Sequence, residues 1–132
     1  MNRKQELNLK SGSKSQKRGA AGERRAVLYL RLHGYRILER NYLYGHKEVD
    51  IIAAKRSVIA FIEVKAREST LIAPSMSVTS KKQSNIIAAS NWYVAKHGIK
   101  NKIIRYDVIE VDLGRKLFFG SVNHITDAFR AR

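Results

Sequence analysis

Between Lys47 and Arg67 the chain reads K-E-V-D-I-I-A-A-K-R-S-V-I-A-F-I-E-V-K-A-R, and Asp50, Glu63 and Lys65 stand inside runs that are otherwise apolar and β-branched. The runs read as two strands of a hairpin, broken at Lys55-Arg56-Ser57. With a two-residue loop, Arg56-Ser57, antiparallel register sets Asp50 opposite Glu63 on one face of the sheet. Lys65, two positions past Glu63, points the same way. Two carboxylates about 5 Å apart repel by roughly 3 kcal/mol at an effective dielectric near 20, against about 0.2–1 kcal/mol from a good cross-strand pair. A cation between them reverses that balance. The alternative is an ordinary Glu-Lys pair on a solvated sheet face.

The elements that must position this hairpin can be read on either side of it. Residues 19–33 have helical spacing, with Glu23, Val27 and Leu30 on one stripe and Gly34 as the stop. Glu23 thus heads the buried side close to the helix N-terminus, where an acid also complements the helix dipole. Gly19 and Gly22 are poor helix formers, and their place before Glu23 implies a close approach by a substrate phosphate or by a packed strand. Residues 35–44 form an edge or second strand, with Asn41 as a bulge or turn residue. Residues 68–78, which hold the only proline, Pro74, form a loop lying against the body.

Ser80-Lys81-Lys82-Gln83 has the form of a capping box opening a helix that ends near His97. Its buried side comprises Ile86, Ile87, Ala89, Ser90, Tyr93 and Val94. Trp92 falls off that stripe, and rim packing is favoured over a stacking role. Lys81 and Lys82 stand at a helix end that disfavours cations unless an anion is nearby. Residues 102–111 form a strand with Ile104, Tyr106, Val108 and Glu110 on one face and Arg105 and Asp107, able to pair, on the other. A turn at Asp112-Leu113-Gly114-Arg115 leads into a final strand through Phe119, and a short closing segment follows, anchored by Ile125 and Phe129.

The chain has 132 residues, 26 Lys and Arg against 11 Asp and Glu, and a net charge of +15. That length allows one domain, residues 18–132, preceded by a basic mobile arm, residues 1–17, whose few apolar groups cannot offset the entropy of ordering it. The charge exceeds what solubility needs and fits nucleic acid first. Absence of cysteine excludes disulfides and thiolate metal sites, and the four histidines lack zinc-ligand spacing. No long apolar run is present, so a soluble, cytoplasmic protein that does not enter membranes is expected.

These residues resemble a known pattern. G-A-A-G-E around Glu23, R-N at Arg40-Asn41, E-V-D-I-I-A, F-I-E-V-K-A-R, R-Y-D-V at Arg105–Val108 and H-I-T-D-A-F near the end are similar to the YraN-like endonuclease family of the PD-(D/E)XK superfamily. The resemblance implies an α/β restriction-endonuclease-like core, a mixed central sheet of about five strands flanked by helices. It further implies a metal-dependent endonuclease acting on DNA. In that reading Asp50 and Glu63 ligate Mg²⁺ or Mn²⁺, with the Val64 backbone carbonyl as a further ligand. Lys65 polarises the attacking water, and Glu23 completes the acidic cluster.

Lys17, Arg18, Arg67, Lys81 and Lys82 are the expected contacts to nucleic acid. Glu48, on the same side as Asp50, is a supporting or alternative ligand. Lys47 replaces the glycine usual in the family before this Glu-x-Asp, and Ile87 leaves the Gln-x₃-Tyr element of RecB-like relatives incomplete after Gln83. Cutting both strands with one small site favours a homodimer. A nucleic-acid binder without turnover, including an RNA- or ribosome-associated one, is the alternative function.

Overall fold

The computed structural model describes residues 14–67, 78–114 and 121–131. In chain order it contains α1 (Lys14–Leu32), β1 (Arg36–Tyr44), β2 (Lys47–Lys55), β3 (Val58–Arg67), α2 (Ser80–Lys96), β4 (Ile103–Asp112) and β5 (Val122–Phe129). The strands form one five-stranded sheet in the order β1-β2-β3-β4-β5. β3 and β4 run parallel, and the other neighbouring pairs run antiparallel. The fold is therefore α/β with a mixed sheet, as expected. α2 lies between the parallel strands in sequence, the position where a parallel pair requires a crossover.

Each helix buries an apolar stripe on its own face of the sheet. On one side Ala26, Val27 and Leu30 of α1 meet Ile51, Ala53, Ala60, Ile62, Ile109 and Val111. On the other Ile86, Ala89 and Tyr93 of α2 meet Ile52, Phe61, Tyr106 and Val108. The central strands β2 and β3 are covered on both faces, which is why they read as nearly continuous apolar runs.

Gly22 shows why α1 carries a glycine. A Cβ built there would fall 2.5 Å from the Ala66 Cβ of β3. Of the two explanations for the glycines, the packed strand holds at Gly22. Nothing lies within 4 Å of a Cβ built at Gly19.

Several boundaries differ from those expected. α1 begins at Lys14, before Gly19, and so includes the last residues assigned to the arm; Lys, Gln and Arg there are good helix formers. Residues 1–13 lie outside the described residues, as do the side chains of Lys17 and Arg18. Thr79, not Ser80, caps α2: its side chain accepts from the Lys82 N–H at 3.2 Å, while Gln83 Nε2 donates to the Val78 carbonyl. Ile87 and Val94 of the expected buried side are only partly covered.

The expected loop around Pro74 and the expected strand through Phe119 lie outside the described residues. The closing segment is itself β5, antiparallel to β4. Phe129 anchors it, but Ile125 is exposed.

β5 is fastened by Asp107, which is fully buried. Its carboxylate accepts two bonds from Arg105, at 2.9 and 2.8 Å, and one from the Asp127 N–H at 3.0 Å. His124 Nε2 lies 2.8 Å from the same carboxylate, and Arg105 also donates to the Tyr35 hydroxyl. Burial alone would raise the Asp107 pKa, but the bonds from His124, Arg105 and Asp127 outweigh it and hold the carboxyl below its usual range. The expected Arg105–Asp107 pair is present within this larger network. None of the described helices is long and apolar enough to cross a membrane.

Candidate functional site

The turn between β2 and β3 has two residues, Arg56 and Ser57, with Lys55 paired to Val58 and Arg56 at a φ of 56°. This is the register that the hairpin argument required. The β2–β3 ladder runs to the pair Ile51 and Ile62 and stops there. Asp50 and Glu63 occupy the next facing positions, where the two strands part. On the β1 side Asn41 sits between the pairs Arg40–Ile51 and Tyr42–Val49 with a left-handed φ of 52°, so the edge strand is also distorted beside Asp50.

Asp50 is partly buried, and its Oδ2 accepts from the Val64 N–H at 2.8 Å. Glu63 is buried, and its Oε1 lies 3.7 Å from the Lys82 ammonium. Glu63 Oε2 is buried with no hydrogen-bond partner. An ionised carboxylate oxygen left so is costly, and either a proton shared with Asp50 or a cation would satisfy it.

The electrostatics match that geometry. Burial, then the negative charge of Asp50, pushes the Glu63 carboxyl up to about 7, although Lys82 and Lys65 pull it down. A hydrogen bond donated to Asp50 further favours protonated Glu63. The Asp50 carboxyl is also raised, mainly by burial, against the pull of the Val64 N–H, of Glu63 and of Lys82. Glu48 is raised by burial and by Asp50. Without an added cation, the pair shares one proton near neutral pH.

Because α1 begins at Lys14, Glu23 lies in mid-helix and not near the N-terminus as expected; it is buried at the head of the apolar stripe, and its Oε1 accepts from Arg40 Nε at 3.0 Å and from Asn41 Nδ2 at 3.1 Å. Its charge raises the carboxyls of Asp50 and Glu48. Among the described residues, no three His, Asp or Glu side chains converge as a ready-made metal cage. A divalent ion at this point would draw on Asp50 and Glu63 and complete its shell with water and substrate oxygens. That all-oxygen set, with a buried oxygen to satisfy, fits Mg²⁺ or Mn²⁺.

Lys82 was expected at a phosphate backbone, and the structure brings it to Glu63. The anion that a cation at this helix end needs is therefore supplied by β3. Arg40 and Asn41, the holders of Glu23, were not picked out as site residues, although R-N was part of the resemblance. Lys81 is exposed, and the Arg67 backbone carbonyl accepts from the Leu113 N–H beside the end of β4. Trp92 is 47% exposed and stacked on Tyr44, with ring centroids 5.3 Å apart and planes at 14°. Trp92 thus packs at the rim, as expected, by stacking on Tyr44. The Lys47 ammonium lies 5.8 Å from the centre of the Tyr44 ring.

Comparison with known proteins identifies the lineage. The model of the uncharacterised protein family UPF0102 matches residues 22–111. A UPF0102 protein of Chlorobium phaeobacteroides is 43% identical over 118 residues, covering 86% of this chain and 93% of its own. One from Clostridioides difficile is 41% identical over 116 residues, covering 87% and 98%. One from Clostridium perfringens is 42% identical over 113 residues, covering 85% and 93%. The matched region contains Glu23, Asp50, Glu63, Lys65 and Lys82, and on this agreement the chain belongs to the uncharacterised protein family UPF0102.

Proposed function

We propose that the protein is a metal-dependent endonuclease with a restriction-endonuclease-like PD-(D/E)XK core, hydrolysing phosphodiester bonds in DNA. The observation that carries this reading is the Asp50–Glu63 pair at the parting of β2 and β3, with one buried oxygen unpartnered and two lysines close by. A solvated Glu-Lys face would not bury Glu63 or push its carboxyl up to about 7.

In this reading Asp50 and Glu63, with the Val64 carbonyl, hold Mg²⁺ or Mn²⁺. Such an ion, when bound, would supply a lowered pKa for a water and screening of charge at the phosphate. Lys65 supplies a preorganised positive charge where negative charge grows on the phosphate oxygens. Lys82 balances Glu63 before substrate arrives. Glu23, fixed by Arg40 and Asn41, adds negative potential behind Asp50, and Glu48 supports it from β2. Lys17, Arg18, Arg67 and Lys81 contact the backbone, and the exposed Trp92–Tyr44 stack offers a surface for an unpaired base. The protein acts in the cytoplasm, and cutting both strands of a duplex would use a homodimer.

The test is cleavage of supercoiled, linear, single-stranded and branched DNA with Mg²⁺ or Mn²⁺. Asp50→Ala, Glu63→Ala and Lys65→Ala are expected to abolish cutting and leave DNA binding largely intact. If the native chain cuts none of these substrates with either metal, the proposal fails.

The second reading is a nucleic-acid binder without turnover, and the Lys82–Glu63 contact favours it, because a lysine already balances the acid. It predicts steeply salt-dependent binding and no heat on Mn²⁺ titration.

A further inference from the structure

At the other end of β2 from Asp50, five residues and about 17 Å along the strand, lies an open cleft of about 590 Å³. Arg36 of β1, Lys55 of β2, Arg56 of the turn, His97 at the end of α2, and Lys100 and Lys102 before β4 all line it, and the lining contains no acid. Among the described residues, none of these six takes part in an ion pair. The C-terminal dipole of α2 accounts for a cation at Lys100. It does not account for Arg36 and Arg56, which come from other elements. Lys55 lies 5.3 Å from the centre of the Tyr35 ring, a contact that holds its chain without cancelling its charge.

The walls are held in place. Lys102 Nζ donates to the Arg56 carbonyl at 3.3 Å, and the Ile103 N–H donates to the Ser57 carbonyl at 2.7 Å, fastening the turn to the start of β4. The His97 ring packs on Tyr93 with centroids 4.1 Å apart, and its Nδ1 lies 3.0 Å from the Tyr93 carbonyl, so Nε2 is left for another partner. Leu38, Ala54, Ile59, Ile99 and Tyr93 supply an apolar and aromatic part of the lining. Cations beside an apolar wall, in a volume within the usual range for small-ligand sites, suit a ligand with clustered phosphate oxygens and a flat base.

We infer that this cavity is a second binding site, separate from the acidic pair, for a phosphorylated nucleotide unit. Two sources carry that chemistry: a free nucleoside polyphosphate, or the phosphorylated end of a nucleic-acid strand. The inference does not rest on the nuclease reading, because none of the cavity's residues belongs to the acidic site.

The experiment is calorimetric and anisotropy titration of the full chain with four probes: pyrophosphate, ATP, and one oligodeoxynucleotide in 5′-phosphorylated and 5′-hydroxyl forms. Two double variants that remove equal charge are compared. Arg36→Glu with Lys100→Glu alters the cavity at exposed positions, and Arg24→Glu with Arg31→Glu alters the exposed side of α1 on the other face of the sheet. Matching thermal melts establish that all three proteins are folded.

The cavity variant should weaken pyrophosphate or ATP binding, or the preference for the 5′-phosphorylated strand, by about tenfold, as expected when charge-assisted phosphate contacts are lost. The control should stay within about twofold of the native chain. Saturable ATP binding that the cavity variant loses assigns a free nucleotide. A preference for the phosphorylated strand that the cavity variant loses assigns a strand end. Equal weakening in both variants, or no saturable binding of any probe, overturns the inference.

Discussion

Replacing Glu63 with glutamine isolates the proton on which the site turns. In the metal-free protein the Glu63 carboxyl is raised from 4.5 to about 7. Below about pH 4.5 both the folded and the unfolded chain hold this proton. Between that value and about 7 only the folded chain holds it, so unfolding releases it and stability falls as pH rises. The interval of about 2.5 units, at about 1.4 kcal/mol per unit, makes the loss on the order of 3 kcal/mol. The side chain is 7% exposed, so solvent screening removes little of this.

Glutamine keeps the shape and can still donate to Asp50, but it does not titrate. Glu63→Gln should therefore match the native chain near pH 4.5 and exceed its stability at pH 8 by on the order of 3 kcal/mol. Urea unfolding of both proteins in EDTA across that range reads the difference, in which the histidines and the carboxyls outside the Asp50–Glu63 pair cancel. Parallel pH profiles would refute the shared-proton account of the pair.

Four further outcomes follow. If the proposed function holds, Mn²⁺ would displace the Glu63 proton, so its affinity by calorimetry should rise nearly tenfold per pH unit below about 7 and level off above it, with heats that depend on the buffer; affinity independent of pH between 5.5 and 7 would count against a metal held by Glu63. Gly22→Ala should destabilise by about 1–3 kcal/mol, because the new methyl meets Ala66. Gly19→Ala, with open space around it, should stabilise by up to about 1 kcal/mol in the same urea experiment. Asp107→Ala should cost about 3–5 kcal/mol by leaving Arg105 without its buried partner, and hydrogen exchange should show β5 losing protection first.

Much of the scaffold is legible in the residues because it is local. A two-residue turn at Arg56-Ser57 sets the register of β2 and β3, and that register places Asp50 and Glu63 together. The alternation of Tyr106 and Val108 against Arg105 and Asp107 likewise follows from strand periodicity. What escaped reading depends on how distant pieces dock. Lys82 meets Glu63 only once α2 lies on the sheet, and the basic cavity is assembled from β1, the β2–β3 turn and the segment after α2.

β5 is hard to read in the sequence for a different reason. V-N-H-I-T-D-A-F is half polar and mostly exposed, and the strand is held less by an apolar face than by His124 and the Asp127 backbone on a buried carboxylate. The sequence does not separate Thr79 from Ser80 as the N-cap of α2, because both are good caps.

The Asp107 network also sets an order of events in synthesis. Arg105 and Asp107 leave the ribosome before His124 and Asp127, and until those arrive a carboxylate meant for a dry interior keeps one face in water. The β2–β3 hairpin, complete long before, can already pair its strands, so the two acids meet while the far side of the sheet is still open. Completion of the sheet thus waits on its last-made strand, and a nascent chain stalled between Asp107 and His124 would present the hairpin and its pair of acids on an unfinished body.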